Sequence, residues 1–151
     1  MTDTFKKQFE VGWRDIDLNG HMANFVYLTY AVSTRFAFFA ACGFSPGEFQ
    51  QIGFGPVIKS DLTEYFRELK MLEEFSVTME NGGFSEDGSR FRVVNNFYKK
   101  DGTHGARVTS IGGWLSLNER KLIAPPDALK DAWLNLAKTD DFEELRSSIK
   151  R

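Results

Sequence analysis

With 151 residues, 42% of them hydrophobic and fifteen of them phenylalanine, the chain is long enough for one packed core, and residues 1–151 read as a single domain. A formal charge of −2 and a pI near 5.7 give no general electrostatic reason to bind nucleic acid or an anionic membrane surface. The single cysteine, Cys42, excludes an internal disulfide and a cysteine-rich zinc site, and it suits a reducing compartment such as the cytoplasm.

Residues 5–13 alternate as a strand, with Phe5, Lys7, Phe9, Val11 and Trp13 on one face, and this opening shows no apolar segment of the secretory-signal kind. A polar loop follows, carrying Asp15, Asp17, Gly20 and His21. From Asn24 onward apolar residues fall on almost every side, which predicts a helix over 24–43 that needs cover around most of its circumference. Asn24 is placed as its N-cap and Gly43 as the left-handed residue that ends it. Thr29, Ser33, Thr34 and Arg35 in its middle argue for a core helix rather than a membrane span. Cys42 at its end reads as a small buried hydrophobe.

Residues 44–55 form a glycine-rich connection with room for one helical turn. Strands are predicted over 56–69, 75–81, 90–100 and 106–117, with a turn region at Gly82, Gly83 and 86–88 and a tight turn at Asp101-Gly102. The pair Gly112-Gly113 marks a bulge or a close approach of backbones. After Pro125-Pro126, residues 127–138 place Leu129, Ala132, Trp133, Leu136 and Ala137 on one stripe of a helix capped by Asp127, and a second helix is expected over 141–150. This order predicts an α+β fold: an antiparallel sheet wrapped around one long central helix, plus a C-terminal helix. The side of the central helix that the sheet leaves open calls for a second chain.

Chemistry is concentrated in the loop before that helix. Asp15 and Asp17 share a face in extended backbone, and Gly20 lets the chain turn Asp17 back toward the helix start. There the free N–H groups can hold a developing oxyanion. A carboxylate beside them can attack an acyl carbon or take a proton from water. Turn formation and capping are the structural alternatives for both aspartates. His21 either bonds a backbone carbonyl or an aspartate, or orients Asp17 and touches substrate. His104, in the turn 101–105, reads as solvent-exposed and incidental. Two histidines so far apart, with no cysteine partner, do not make a metal site.

The pattern Asp15-x-Asp17-x-x-Gly20-His21-Met22-x-Asn24-x-x-Tyr27-x-x-Tyr30 resembles the loop and helix start of hot-dog-fold acyl-CoA thioesterases, the group that includes 4-hydroxybenzoyl-CoA thioesterase. The resemblance spans about the first 120 residues and implies hydrolysis of an acyl-CoA thioester, with no metal or further cofactor. It implies Asp17 as nucleophile or general base and the Asn24 N–H as oxyanion donor, with His21 and Asn24 shaping the loop and Tyr27 packed beneath it. It also implies a homodimer whose sheets join edge to edge, with a further pairing of dimers left open. In that dimer the Gly55-Pro56 corner and the strand from Val57 lie near the partner's helix. Phe25, Tyr27 and Phe36 are candidates for the acyl pocket, and Lys59, Arg67, Arg90, Arg92, Lys99 and Lys100 for the coenzyme A phosphates. Two other readings within this fold stay open: a non-catalytic binder of acyl-CoA or acyl-carrier protein, and a dehydratase or hydratase. The central helix carries no Asp or Glu, which counts against the dehydratases and leaves the loop as the source of the carboxylate. Relatives with this loop carry an acid three residues before the helix arginine. Val32 stands there in this chain, so Arg35 is left to a partner across the dimer or to Asp61 or Glu64 on a strand.

Overall fold

The computed structural model describes residues 4–149. Strand β1 (Phe5–Glu10) leads through a short 3-10 turn (Trp13–Asp15) to helix α1 (Val26–Ala41) and then to α2 (Pro46–Ile52). Strands β2 (Phe54–Tyr65), β3 (Glu74–Ser85), β4 (Arg90–Lys99) and β5 (His104–Ser116) follow. The short β6 (Leu122–Ile123), α3 (Asp127–Leu134) and β7 (Lys138–Leu145) complete the described chain. The main sheet runs β1-β3-β4-β5-β2 and its members pair antiparallel, so β2 is an edge.

Helix α1 packs against β1, β3 and β5 of this sheet. Its buried residues are Val26, Tyr27, Ala31, Thr34, Arg35, Phe38 and Phe39. Tyr27 and Ala31 join Phe75, Val77, Phe97 and Val108 in one core cluster under the N-terminal half of the helix. Phe38 and Phe39 join Phe54, Phe91, Trp114 and Trp133 in a second under the other half. The row Phe25, Thr29, Ser33, Phe36 and Ala40 stays exposed, with Phe25 at 74% and Phe36 at 45%. These positions recur at helical spacing, so they form one uncovered stripe.

Several boundaries differ from the sequence reading for local reasons. The first strand stops at Glu10, because the Gly12 N–H donates to the Asp15 carboxylate at 2.8 Å and folds residues 12–15 into the 3-10 turn. Trp13 is thereby 72% exposed instead of sharing a core face with Phe9. Phe25, not Asn24, holds the N-cap position of α1, and no side chain caps it. The chain enters through a turn closed by the Val26 N–H on the Ala23 carbonyl at 3.0 Å. At the other end Gly43 is left-handed, with φ +88°, as its position required. Cys42 is half-buried.

The connection 44–55 holds all of α2, opened by Ser45 and Pro46 and closed by left-handed Gly53. Strand β3 runs through Gly82-Gly83 instead of turning there. A Cβ on Gly82 would lie 2.8 Å from a Val94 methyl, so these glycines serve close packing within the sheet. Gly112 does the same between β5 and β2, where a Cβ would come within 2.2 Å of the Val57 carbonyl. Helix α3 ends at Leu134 and begins at Asp127 with Pro126 in the N-cap position, so Asp127 is an acid of the first turn and not the cap. The second helix expected over 141–150 is instead strand β7, paired parallel with β3 from Asn81 to Ser85. β1 covers β3 only as far as Met79, and the free edge beyond it takes the chain as a strand.

Candidate active site

The loop between the 3-10 turn and α1 is closed by an isolated bridge between Ile16 and Met22, and by the Asp17 N–H on the His21 carbonyl at 3.0 Å. Gly20 makes the reversal possible at φ +79°, where a side chain is disfavoured. The two aspartates are separated by this folding. Asp15 turns inward, where its Oδ2 accepts from Tyr30 Oη at 2.5 Å and from the Gly12 N–H, and its carbonyl accepts from the Ala23 N–H at 2.8 Å. Asp17 faces outward, with 27% of its side chain exposed and Oδ1 accepting, among the described residues, only the Asn19 N–H at 2.8 Å.

His21 stands beside Asp17. Its Nδ1 is 3.2 Å from the Met22 carbonyl and 3.6 Å from Asp17 Oδ2. The shorter contact is the hydrogen bond, with Nδ1–H donating to the carbonyl, and the longer one is proximity of charge. The ring is thus held by backbone in a place where it flanks the carboxylate. Tyr27 is 3% exposed beneath the loop, its ring 5.2 Å from those of both Tyr65 and Phe97. Burial, together with the nearby Tyr65 and Asp17, pushes its hydroxyl up to about 12, so it stays protonated.

These groups surround a cavity of about 400 Å³ at the N-terminus of α1, whose walls include Asp17, His21, Asn24, Tyr27, Tyr65 and Arg67. The Asn24 carbonyl accepts from Tyr65 Oη at 3.1 Å, while the N–H groups of Asn24 and Phe25 meet no acceptor among the described residues. A carboxylate, the residue Asn24 with its free N–H, and aromatic walls therefore border one space. Asp17, His21 and Asn24 arrive together because they are close in sequence. Tyr65 comes from the far end of β2, and its place here has no local sequence signal. Arg67, one of the sequence cations, also borders the cavity and donates to the Phe66 carbonyl at 2.8 Å.

The remaining candidates gather elsewhere. Val57, Lys59 and Arg90 border a second cleft of about 270 Å³ with Gly112 and Ser148, and Gly55 and Pro56 lie next to it at the start of β2. Val57 and Tyr65 are eight residues apart on one strand, about 26 Å, so a single chain does not bring this cleft to Asp17. Arg92 is engaged by β7: Nη1 lies 2.9 Å from Glu143 Oε1 and Nη2 donates to the Asp141 carbonyl at 2.6 Å. His104 is half-buried rather than exposed, with Nε2 2.9 Å from Asn96 Oδ1 and its ring stacked on Tyr98 at 5.1 Å. Arg35, lacking a helix acid, reaches through α1 into the sheet. It donates to Asn95 and Ser110, and Ser110 in turn donates to Asp61.

Among the described residues no helix is long and apolar enough to cross a membrane, and no cluster of three acidic, histidine or cysteine side chains is placed to hold a metal. No curated protein matches the chain. Solved structures match its fold closely. A Staphylococcus aureus protein in complex with CoA is 20% identical with a TM-score of 0.81, the match covering 92% of this chain and 89% of that one. A 1,4-dihydroxy-2-naphthoyl-CoA thioesterase from Synechocystis is 17% identical with a TM-score of 0.78, over 89% and 98% of the two chains. A DHNA-CoA thioesterase from Staphylococcus aureus is 14% identical with a TM-score of 0.78, over 87% and 89%. At these identities the likeness speaks for the fold, which is the hot-dog fold that the loop motif implied. The model of the thioesterase-like superfamily matches residues 11–133, most of the chain, and the protein belongs to that superfamily.

Proposed function

We propose that this protein hydrolyses an acyl-CoA thioester, with Asp17 as the reacting carboxylate and the Asn24 N–H as donor to the thioester oxygen. The observation that carries this reading is one cavity whose walls include both the partly exposed Asp17 and Asn24, the residue whose N–H meets no acceptor among the described residues at the start of α1. Attack on the acyl carbon puts negative charge on its oxygen, and a fixed donor at a helix N-terminus lowers the energy of that state. Asp17 serves in one of two ways. As nucleophile it forms a mixed anhydride and expels the coenzyme A thiolate, which takes up a proton, and water then cleaves the anhydride. As general base it takes the proton from the water that attacks directly. Both routes yield the free acid and the thiol. His21, held by the Met22 carbonyl, keeps its ring beside the carboxylate, and Tyr27 supports the floor. Phe25 and Phe36, exposed on the open stripe of α1, offer apolar surface to an acyl chain.

The working unit in this proposal is a homodimer joined through β2. Among the described residues the edge strand is unpaired on its outer side, and the cleft of Val57, Lys59 and Arg90 lies at the end of β2 opposite Asp17. A two-fold that pairs the β2 edges antiparallel sets each chain's cleft against the other chain's Asp17 cavity. Lys59 and Arg90 then become the cations available to coenzyme A phosphates, near Gly55, Pro56 and Val57. The CoA bound to the Staphylococcus aureus structure supports the carrier half of this reading.

The test is thiol release from a panel of short, long and aryl acyl-CoA thioesters. Asp17→Asn keeps the shape and the Oδ1 acceptor for Asn19, and it is expected to lower kcat by about 100-fold or more with an unchanged unfolding midpoint. Full activity in this variant would sink the assignment.

A further inference from the structure

A buried cation ordinarily ends on a carboxylate that neutralises it. Arg35 is 6% exposed, yet both of its hydrogen-bond partners are neutral. Nε donates to Asn95 Oδ1 at 2.9 Å and Nη2 to Ser110 Oγ at 2.7 Å. Its third nitrogen, Nη1, meets no acceptor among the described residues and is not sealed from solvent. The carboxylate whose charge reaches it is Asp61 on β2, one hydroxyl away, because Ser110 Oγ donates to Asp61 Oδ1 at 2.5 Å. Asp61 is exposed, and its Oδ2 has no donor among the described residues. The patch therefore carries an unused donor on a buried cation and an unused acceptor on an exposed anion, side by side.

Their position gives the pair a meaning. Residues 58–66 of the edge are exposed apart from half-buried Thr63, with Ile58, Leu62, Tyr65 and Phe66 supplying apolar surface, and Asp61 sits near the middle of the stretch. An apolar edge alone does not set its own register. A slip by one residue flips the faces, but a slip by two preserves them and moves the strands by about 7 Å. A surface satisfying both unused groups must present a free carboxylate oxygen and a free guanidinium nitrogen in inverted order. A second copy of this chain, related by a two-fold near Asp61, presents that arrangement.

We propose that Arg35 and Asp61 form the register key of a two-fold interface between two copies of this chain, each Asp61 bridging its own Ser110 and the second copy's Arg35. This rests on the β2 dimer proposed above and adds what selects its register. With the two-fold near Asp61, Tyr65 falls opposite the region of Val57 in the second copy, so the key also places the cleft of Lys59 against the Asp17 cavity. A slipped register keeps the bonds within each chain but covers the unused Arg35 Nη1 and Asp61 Oδ2 of both copies with no ionic partner, which penalises it. The valine at position 32 leaves Arg35 with no acid on its own helix, so the carboxylate on the neighbouring edge is the one it meets.

The test is sedimentation equilibrium of the full chain together with thiol release. Asp61→Ala, at a site exposed in the single chain, is expected to weaken the dimer by about 100-fold while the unfolding midpoint of the chain persists. Because Asp17 is untouched, activity per chain should return when protein concentration exceeds the new dissociation constant. Should the alanine variant fail to fold, Asp61→Asn removes the charge with the shape kept. Leu62→Glu, which places a charge in the same edge without touching the pair, separates the two claims. If it dissociates the dimer while Asp61→Ala leaves the dissociation constant unchanged, the key is overturned and the dimer stands. A wild-type chain that sediments as a monomer at every concentration overturns both.

Discussion

The Asp15 carboxylate takes one donor from the backbone of its own turn and one from α1, and so pins the loop that presents Asp17. The Tyr30 hydroxyl that reaches it is pushed well above the ordinary phenol range by burial and by Asp15 itself, and it remains a donor at any pH at which the protein is handled. Removing the acceptor with Asp15→Ala is expected to cost about 1.5–3 kcal/mol in chemical denaturation, as for a hydrogen bond to a charged group. Tyr30→Phe removes the other side of the same bond, so the double variant should lose clearly less than the sum of the two. Strict additivity would show that the groups do not depend on each other. Asp17→Asn is expected to belong to the opposite class, lowering turnover and leaving stability alone. Two aspartates separated by one residue are told apart in this way by what each accepts. The loop motif pointed to Asp17, His21 and Asn24 because the site there is local, four and three residues apart. Tyr65 stayed out of sight as a site group, and Asp61 could be named only as one of several partners for Arg35, because only the pairing of β2 with β5 puts them beside α1.

Elements were legible where periodicity and punctuation agree. The central helix, its glycine stop, the antiparallel strands and the close approach at Gly112 all follow from residues that act within a few positions of themselves. The C-terminal strand does not. Residues 138–145 place Phe142 and Leu145 at a spacing that suits a helix, and the unpaired upper edge of β3 overrides that preference by offering backbone partners no sequence window contains. What fastens the end of β7 is an aspartate in the β3–β4 turn. Asp87 Oδ1 accepts from Ser85 Oγ at 2.8 Å, from the Ser89 N–H at 3.0 Å and from Ser89 Oγ at 2.7 Å, and Oδ2 accepts from Ser147 Oγ beyond β7. Burial opposes ionisation there, but the bonds from Ser147, Ser89 and Ser85 outweigh it and hold the Asp87 carboxyl well below the usual carboxylate range. A carboxyl whose pKa is lower folded than unfolded adds stability above the unfolded value, about 3.9, and loses it as pH falls toward the folded value. Asp87→Asn is therefore expected to lower the thermal midpoint near neutral pH, with the gap to wild type closing as the pH drops below about 4. A gap that stays constant through that range would show that the charge of Asp87 is not what fastens the strand.

At the scale of the whole molecule, the proposed dimer joins two regions that lie at opposite ends of one edge strand in the single chain. The Asp17 cavity has the carboxylate, Asn24 and one cation, Arg67, and the cleft about 26 Å away along β2 has Lys59 and Arg90, with Arg90 Nε donating to Ser148. If a working site takes one half from each copy, two defective chains can repair each other. A chain carrying Asp17→Asn keeps an intact cleft, and a chain carrying Lys59→Glu with Arg90→Glu keeps an intact carboxylate. Each forms dimers with no complete site. Mixed and allowed to exchange in equal amounts, they form about half heterodimers, and each heterodimer has one site with both halves intact and one with neither. Thiol release should then rise from near zero to about one quarter of the wild-type rate per chain, over the time taken for subunits to exchange. A site contained within one chain predicts instead that the Lys59→Glu, Arg90→Glu chain is active by itself and that mixing adds nothing, because the cleft lies too far along β2 to serve its own Asp17. Recovery thus depends on the two-fold that joins cavity to cleft and not on the residues of either half alone. Adding Asp61→Ala to both chains carries the argument to the interface. It should reduce the recovered rate at low protein concentration and restore it at high concentration, since it weakens the pairing that assembles the site and leaves the chemistry of the site intact.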